Sequence, residues 1–560
     1  MKTGTDFQKN EVIFMYNEME TLTKQLVSIA SVNSEPEGEA KIADFIYGYF
    51  KKLPYFQKHP EYLCTIPLKN DPLQRKNVFA LLRGTAGDYK DTILFHGHID
   101  TVGVEDFGHF KEYAFDCDKL LDAMLASSDI PEVLRKDIET GDYLVGRGSC
   151  DMKSGDAVFM VLIKYLSQNP DKLKGNILVS FNPVEENQHT GIIEGLEHLL
   201  SLQQKYGLHY KFAINNDYTC PLYEGDPHQY IYTGTVGKLL PCFYIYGKET
   251  HVGQCFEGFD AANTAAELVQ LINLNHESCD GYHEEYTLPP SVLYMKDLKD
   301  FYNVQTAQSA YVYFNYFVHN KSMDTIITEL KSYAQTALEH MMTRINSQYK
   351  EFCRINHQEY QPYSYPCAVL SYDELYQRVK ETYKGDLDGF LSEKTARELS
   401  EGVDKREIPL HLVETLLPLA RITTPTIVLF FSAPYCPHNT LKAEIPEEKE
   451  LYDRIADIVH HFSEEEQLPY KILQFFPSLS DSSYLKIDDD AASVDLLIRN
   501  FPDMNALYPL PIDKIQKLNI PALNYGCYGK DAHKWTERLY KPYTFGVLPK
   551  LILKTIDNFL

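Results

Sequence analysis

Paired cysteines are missing from this sequence. Its eleven cysteines, an odd number among 560 residues, stand singly with no CxxC pair. Such scatter fits buried thiols in a reducing compartment better than a disulfide framework, and it argues against a cysteine zinc site. Positive charge is short as well: 54 basic against 79 acidic residues give a net charge of −25. A chain this acidic repels nucleic acid and anionic membrane and has no basic stripe to bind either. Uninterrupted apolar runs such as Ile427 to Phe431 fall far below the roughly 20 residues that span a bilayer. The opening Met1-Lys2-Thr3-Gly4-Thr5-Asp6 has an acidic residue where a secretory leader would carry an apolar core. These absences describe a folded cytoplasmic protein with no nucleic-acid or membrane partner.

Apolar residues make up 44% and charged residues 24%, ordinary globular usage. At this length two domains, or one with a large insertion, are expected. Apolar spacing of three and four residues predicts two opening helices between Glu11 and Leu53, joined by the turn Asn33-Ser34-Glu35-Pro36-Glu37-Gly38. Short apolar runs then alternate with helices: Val78 to Leu82, Thr92 to Phe95, a helix from Asp156 to Leu166, Ile177 to Phe181, a helix from Gly191 to Leu202, and Phe212 to Ile214. That alternation predicts an α/β fold with a mixed, mainly parallel sheet. Around Thr233 the texture changes to a smaller α+β unit, with strands at Leu239 to Tyr246 and Tyr311 to Val318 around the helical Ala261 to Leu274. The expected division is 1–232 with 445–560 as the main domain and 233–444 as an inserted one, enlarged by a helical stretch at about 322–420.

Polar residues crowd the ends of the predicted strands. His98-Ile99-Asp100 follows one, Glu185-Glu186 another and Asn216-Asp217 a third, and open α/β sheets bind ligands beyond the carboxyl ends of their strands. Alone, His98 and Asp100 would more often be a structural hydrogen-bonded pair. Two adjacent carboxylates at the end of a buried strand, however, need cations or a retained proton. Asp217 poses the same problem. The segment Gly146-Arg147-Gly148-Ser149-Cys150-Asp151-Met152-Lys153-Ser154-Gly155 adds a carboxylate beside glycines that let the backbone pass close to a ligand. Oxygen ligands with imidazoles suit zinc, manganese or cobalt in hydrolytic sites. A nucleophilic hydrolase using Cys150 is the weaker reading, since the sequence positions no base for it.

With those motifs assembled, the chain resembles the co-catalytic metallopeptidases of clan MH, the family of aminoacylase, acetylornithine deacetylase, succinyl-diaminopimelate desuccinylase and glutamate carboxypeptidase. The resemblance implies a zinc-exopeptidase catalytic domain of phosphorylase/hydrolase type, carrying a ferredoxin-like α+β lid that can also dimerise. It implies two divalent metal ions, zinc first and cobalt or manganese as alternatives. His98, Asp151 and Asp217 would hold one ion, and Asp151, Glu186 and His533 the other, with Asp151 as bridge. Asp100 would orient His98, and Glu185 would be the general base. A cis peptide is implied between Asp151 and Met152. The final histidine lies in Gly526-Cys527-Tyr528-Gly529-Lys530-Asp531-Ala532-His533, with Glu537 four residues on. Gly247-Lys248-Glu249-Thr250-His251-Val252-Gly253 resembles the lid segment whose histidine stabilises the oxyanion, in its own subunit or across a homodimer, so His251 joins the catalytic candidates. Ser480-Asp481-Ser482 resembles a family loop near the site, and Asx-turn chemistry accounts for the same residues.

Two features depart from the family pattern. The surplus length falls between Ser322 and Leu419. The lid stretch Val312-Tyr313-Phe314-Asn315-Tyr316-Phe317 lacks the arginine that in many members receives the substrate carboxylate. The long form, the Phe476-Pro477-Ser478-Leu479-Ser480-Asp481 run and the Ala433-Pro434-Tyr435 turn look most like the family's arginine-utilisation branch. The implied activity is hydrolysis of an amide bond in a short peptide or N-acyl amino acid; the alternative is a catalytically silent metal-binding protein on the same fold.

Overall fold

The computed structural model describes residues 5–87, 90–478 and 480–560, with the backbone alone for 5–14. The opening residues 1–4 and Leu479, both used in the sequence reading, lie outside the described residues. Two compact units emerge: 1–235 with 439–487 and 511–560, and 236–438 with 488–510.

The first unit is built on an eight-stranded mixed sheet in the order 63–67, 76–83, 176–182, 91–98, 209–215, 522–524, 229–232 and 470–473. Its centre is parallel, from Asn176–Asn182 through Asp91–His98 and His209–Asn215 to Ala522–Asn524. Antiparallel pairs join the first three strands and link 522–524 to 229–232. Parallel strands buried on both faces carry near-continuous apolar runs. Ile93, Leu94 and Phe95 are accordingly buried, as are Ile177, Leu178 and Val179 and then Phe212, Ala213 and Ile214. Each predicted strand of this region lies inside an observed one. The helix Lys153–Leu166 is buried on nearly every side. Its Phe159 stacks on Phe95 with ring centroids 4.4 Å apart, which locks helix to sheet close to the strand end bearing His98. The opening helices are Thr5–Val27 and Gly38–Lys51.

The second unit has a sheet ordered 291–297, 309–318, 241–246, 426–431 and 368–371, antiparallel except for the last pair. The strand Gly237–Leu239 pairs with the far end of 309–318. The stretch expected to be helical, 322–420, holds helices Met323–Ile355, Tyr372–Lys380, Leu387–Ser400 and Ile408–Leu419. It also contains the strand Ala368–Ser371, too short for periodicity to reveal.

The chain returns to the first unit at 439 rather than 445, and 488–510 leaves it again. That second crossing follows from docking of 488–510 on the second unit. Phe431 N–H donates to Asn500 O at 2.9 Å, and Met323 N–H donates to Ser493 Oγ. A sequence pattern records the helix Ala491–Arg499 but not the sheet it packs against. Among the described residues there is no disulfide, and no helix is long and apolar enough to cross a membrane.

Because Phe159 is fully buried and stacked, Phe159→Ala should remove about 3–5 kcal/mol of stability. The check is a lowered urea midpoint for the unfolding of the first unit.

Candidate metal centre

His98 is the last residue of the Asp91–His98 strand and is almost wholly buried. Side chains alternate along a strand, so His96 points the other way, where its Nε2 meets Ser482 Oγ at 2.8 Å. Gly97 between them has no room for a side chain: a Cβ there would lie 2.5 Å from Asp156 Oδ1 and 2.7 Å from Met152 Cε. His98 Nδ1 donates to the carbonyl of Asp100 at 3.2 Å, which directs Nε2 to Asp151 Oδ1 at 3.0 Å. The Asp100 carboxylate stands farther off, 3.6 Å from Nδ1. Its hydrogen bonds go instead to the backbone N–H groups of Glu185 and Glu186, each at 3.0 Å. Asp100 therefore orients His98 mainly through its own main chain and spends its carboxylate on fixing the two glutamates.

Asp151 sits in the turn between the short strand Tyr143–Val145 and the helix Lys153–Leu166. Gly146 and Gly148 both adopt positive φ there, 143° and 79°, and the Asp151–Met152 peptide is cis. Glu537 holds this turn. One of its oxygens accepts N–H bonds from Cys150 and Asp151, at 3.0 and 3.3 Å, and the other pairs with Arg147 at 2.8 Å. Arg147, 1% exposed, also donates to Asp106 and to the carbonyl of Gly103. Asp151 is thereby left with both carboxylate oxygens turned to imidazoles: Oδ1 to His98, and Oδ2 to His533 Nε2 at 3.2 Å. His533 also reaches Glu186 Oε1 at 2.8 Å. Its backbone, at φ 64°, lies in the left-handed region. Asp217 follows the His209–Asn215 strand, buried, with one oxygen accepting the N–H of Tyr218.

The electrostatics are those of a site short of positive charge. Among the described residues, the ion pairs of Asp151, Glu185 and Glu186 are all with histidines. Burial, reinforced by Asp151, pushes Asp217 up to about 8. Burial likewise raises Glu185 and Glu186, against the pull of nearby imidazoles. His533 moves the other way: although burial opposes its charge, Asp151 and Glu186 lift it to about 11. His98 is also held well above its ordinary value, with Glu185, Asp100 and Asp151 outweighing burial. Asp151, despite burial, is held low by His533 and His98. A bound cation would answer this arrangement of carboxylates. Ligand atoms of His98, Asp151 and Glu186 lie within 4.8 Å of one another, a spacing that could hold an ion.

The structure thus brings His98, Asp100, Asp151, Glu185, Glu186 and His533 together in the first unit, with Asp217 close enough for Asp151 to shift its ionisation. His251 belongs to the second unit. There it is exposed and caps the short helix Val252–Glu257, its Nδ1 accepting the N–H of Gly253 at 3.1 Å. Cys150 is fully buried, and burial pushes its thiol well above the ordinary value, the opposite of an activated nucleophile. The sequence pattern sets Glu537 four residues after His533 and Arg147 between two glycines without assigning either a role, and it gives no sign of His189. Nothing in the sequence signals the pairing of Glu537 with Arg147, which stand 390 positions apart and are both buried.

The model of peptidase family M20/M25/M40 matches residues 94–402 of this chain. Protein RocB of Bacillus subtilis (strain 168) is 38% identical over 97% of this chain and 95% of its own length. YqjN, an uncharacterized protein of the same organism, is 34% identical over 97% of this chain and 96% of its own. A succinyl-diaminopimelate desuccinylase of Aliarcobacter butzleri is 25% identical over a shorter region, 38% of this chain and 48% of the relative.

Removing the Glu537 side chain would leave Arg147 buried beside Asp106 alone and free two N–H groups. Glu537→Ala should cost about 3 kcal/mol, the low end for breaking a buried pair because Asp106 stays. Chemical denaturation against the wild type measures it.

Proposed function

The chain belongs to peptidase family M20/M25/M40 and is a hydrolase of amide or peptide bonds, and on that premise we propose that it works with two divalent metal ions on short peptides or N-acyl amino acids. The observation that supports this most directly is Asp151, which turns one oxygen to His98 and the other to His533 while Glu186 shares His533. In this reading His98, Asp151 and Asp217 hold one ion, and Asp151, Glu186 and His533 the other, with zinc the first candidate. Such a pair, when bound, supplies Lewis acidity and brings the pKa of water toward 7. The fit rests on charge: the carboxylates are buried with histidines as their ion-pair partners, a donor set that a dication satisfies.

The chain's own groups divide the remaining work. Glu185, 8% exposed, takes a proton from the attacking water and returns it to the leaving amine. Asp100 fixes the backbone from which Glu185 and Glu186 project. The Nδ1–H of His98, committed to a carbonyl, keeps Nε2 available as a donor atom. His251 is the candidate for stabilising the oxyanion, from its own subunit or from a partner's in a homodimer. The strand Ser309–Val318 carries no arginine, so a substrate α-carboxylate is not received there as in many relatives. The likeness to the arginine-utilisation branch makes arginine-containing dipeptides and N-acyl arginines the first substrates to test, in a cytoplasmic enzyme of amino-acid catabolism.

Wild-type protein should bind about two equivalents of zinc, cobalt or manganese and hydrolyse members of that panel. Glu185→Gln should keep the metal and lose on the order of 10²–10⁴-fold in kcat. Metal analysis alongside turnover decides the matter. A wild type that binds metal yet hydrolyses nothing in the panel would be a binding protein on this fold.

A further inference from the structure

The tandem glutamates differ in their surroundings. Glu186 faces His533 at 2.8 Å. Glu185 faces a second histidine, His189, four residues along the chain, with His189 Nδ1 3.9 Å from Glu185 Oε1. The backbone makes that approach possible. Val184 and His189 both adopt positive φ, 70° and 55°, and the N–H of His189 closes the loop on the carbonyl of Val184 at 2.8 Å. His189 stands at the N-cap of the helix Thr190–Tyr206, yet its side chain makes no capping bond. Its Nδ1 turns instead to Asp481 Oδ1, at 3.0 Å. His189 and Asp481 are 2% and 3% exposed, and the ligand atoms of Glu185, His189 and Asp481 lie within 4.8 Å of one another.

Asp481 comes from the other end of the chain and is held firmly. Ser480 Oγ accepts bonds from Asn215 Nδ2 at 2.7 Å and from Ser482 N–H at 3.2 Å. Ser482 Oγ meets His96 Nε2, and its carbonyl accepts Asn439 Nδ2 at 2.9 Å. The ring of Tyr484 packs against His189, centroids 5.1 Å apart. The segment 480–484 is therefore tied to the ends of the two strands that carry His98 and lead to Asp217. The second oxygen of Asp481 has no hydrogen-bond partner among the described residues. An Asx or Ser turn accounts for the backbone of Ser480 to Ser482, but not for an aspartate aimed at a buried imidazole.

Resting on the reading of Glu185 as the base, we propose that His189, clamped by Asp481, is a positioning residue that holds Glu185 apart from Glu186, so that Glu185 stays available for proton transfer while Glu186 stands with Asp151 and His533 as a ligand. Two adjacent carboxylates at one strand end would otherwise compete for the same cationic space. Placement of a base matters steeply, since an error of about 1 Å can cost about 10²-fold in rate. The Nδ1 edge of the imidazole is hydrogen-bonded to Asp481 at 3.0 Å and lies 3.9 Å from Glu185, so the ring acts on Glu185 through its charge at close range, and Asp481 fixes where that charge sits.

His189→Gln should lower kcat about 10–100-fold while KM changes less than about threefold and the metal content stays that of the wild type. Asp481→Asn should move kcat in the same direction. In a Glu185→Asp background, His189→Gln should produce little further loss, because residues acting as a unit are not additive. An equal loss in both backgrounds, or a rise in KM with kcat intact, overturns the proposal, as does a third equivalent of metal that Asp481→Asn removes. A crystal structure of His189→Gln gives a readout independent of turnover: the Glu185 carboxylate should have swung toward Glu186, and an unmoved one overturns the proposal. If His189→Gln does not fold, Asp481→Asn, which exchanges one oxygen for a nitrogen, carries the same expectations in both measurements. Full turnover by Glu185→Gln would sink the base reading itself, whereas a dead Glu185→Gln beside a fully active His189→Gln sinks only the positioning role.

Discussion

Asp151 turns one carboxylate oxygen to His98 and the other to His533, and the rest of the site is arranged so that it can. Left to itself, a carboxylate in a glycine-bracketed turn would fold back onto nearby N–H groups. Here Glu537 has taken the N–H groups of Cys150 and Asp151. Burial pushes the Glu537 carboxyl up to about 7, and Arg147, paired with it at 2.8 Å, pulls the other way. The chain of dependence runs outward from the imidazoles, through Asp151 and Glu537, to Arg147 and Asp106.

The same logic recurs at the other strand ends. Asp100 gives its carboxylate to two successive backbone N–H groups and thereby aims the two glutamates. His96 and Asn215, on neighbouring parallel strands, hold the serines that flank Asp481. In each case a charged group facing the site is fixed by a neutral or paired group behind it, which is how polar side chains survive burial. Parallel topology makes this economical, because the strands 176–182, 91–98 and 209–215 end on the same side, and each contributes the residues just past its end.

What could be read from the sequence follows from this division. The strands were legible because burial on both faces enforces apolar runs, and the ligand candidates because acidic groups directly after such runs demand an explanation. The role of Asp100 was legible only in part: spacing places it beside His98, but the carboxylate serves Glu185 and Glu186, which lie 85 and 86 positions away. His189 escaped notice because nothing in Glu185-Glu186-Asn187-Gln188-His189 says that the loop closes through two left-handed residues. The passage of 488–510 back to the second unit was hidden for a similar reason, since helix periodicity is blind to the partner a helix packs on.

Family membership fixes the chemistry more tightly than the substrate, and the two depend on different parts of the chain. The desuccinylase likeness spans 38% of the chain, whereas the likeness to RocB and YqjN spans 97%. The stretch 322–420 therefore falls within the region over which the chain is similar to those two relatives. The residues proposed to move protons and hold metal all lie in the first unit, on a sheet whose strand ends can serve many substrates. The second unit carries no arginine on the Ser309–Val318 strand and holds a 33-residue helix beginning at Met323, so what surrounds the scissile bond is set by groups outside the strand ends that carry the carboxylates.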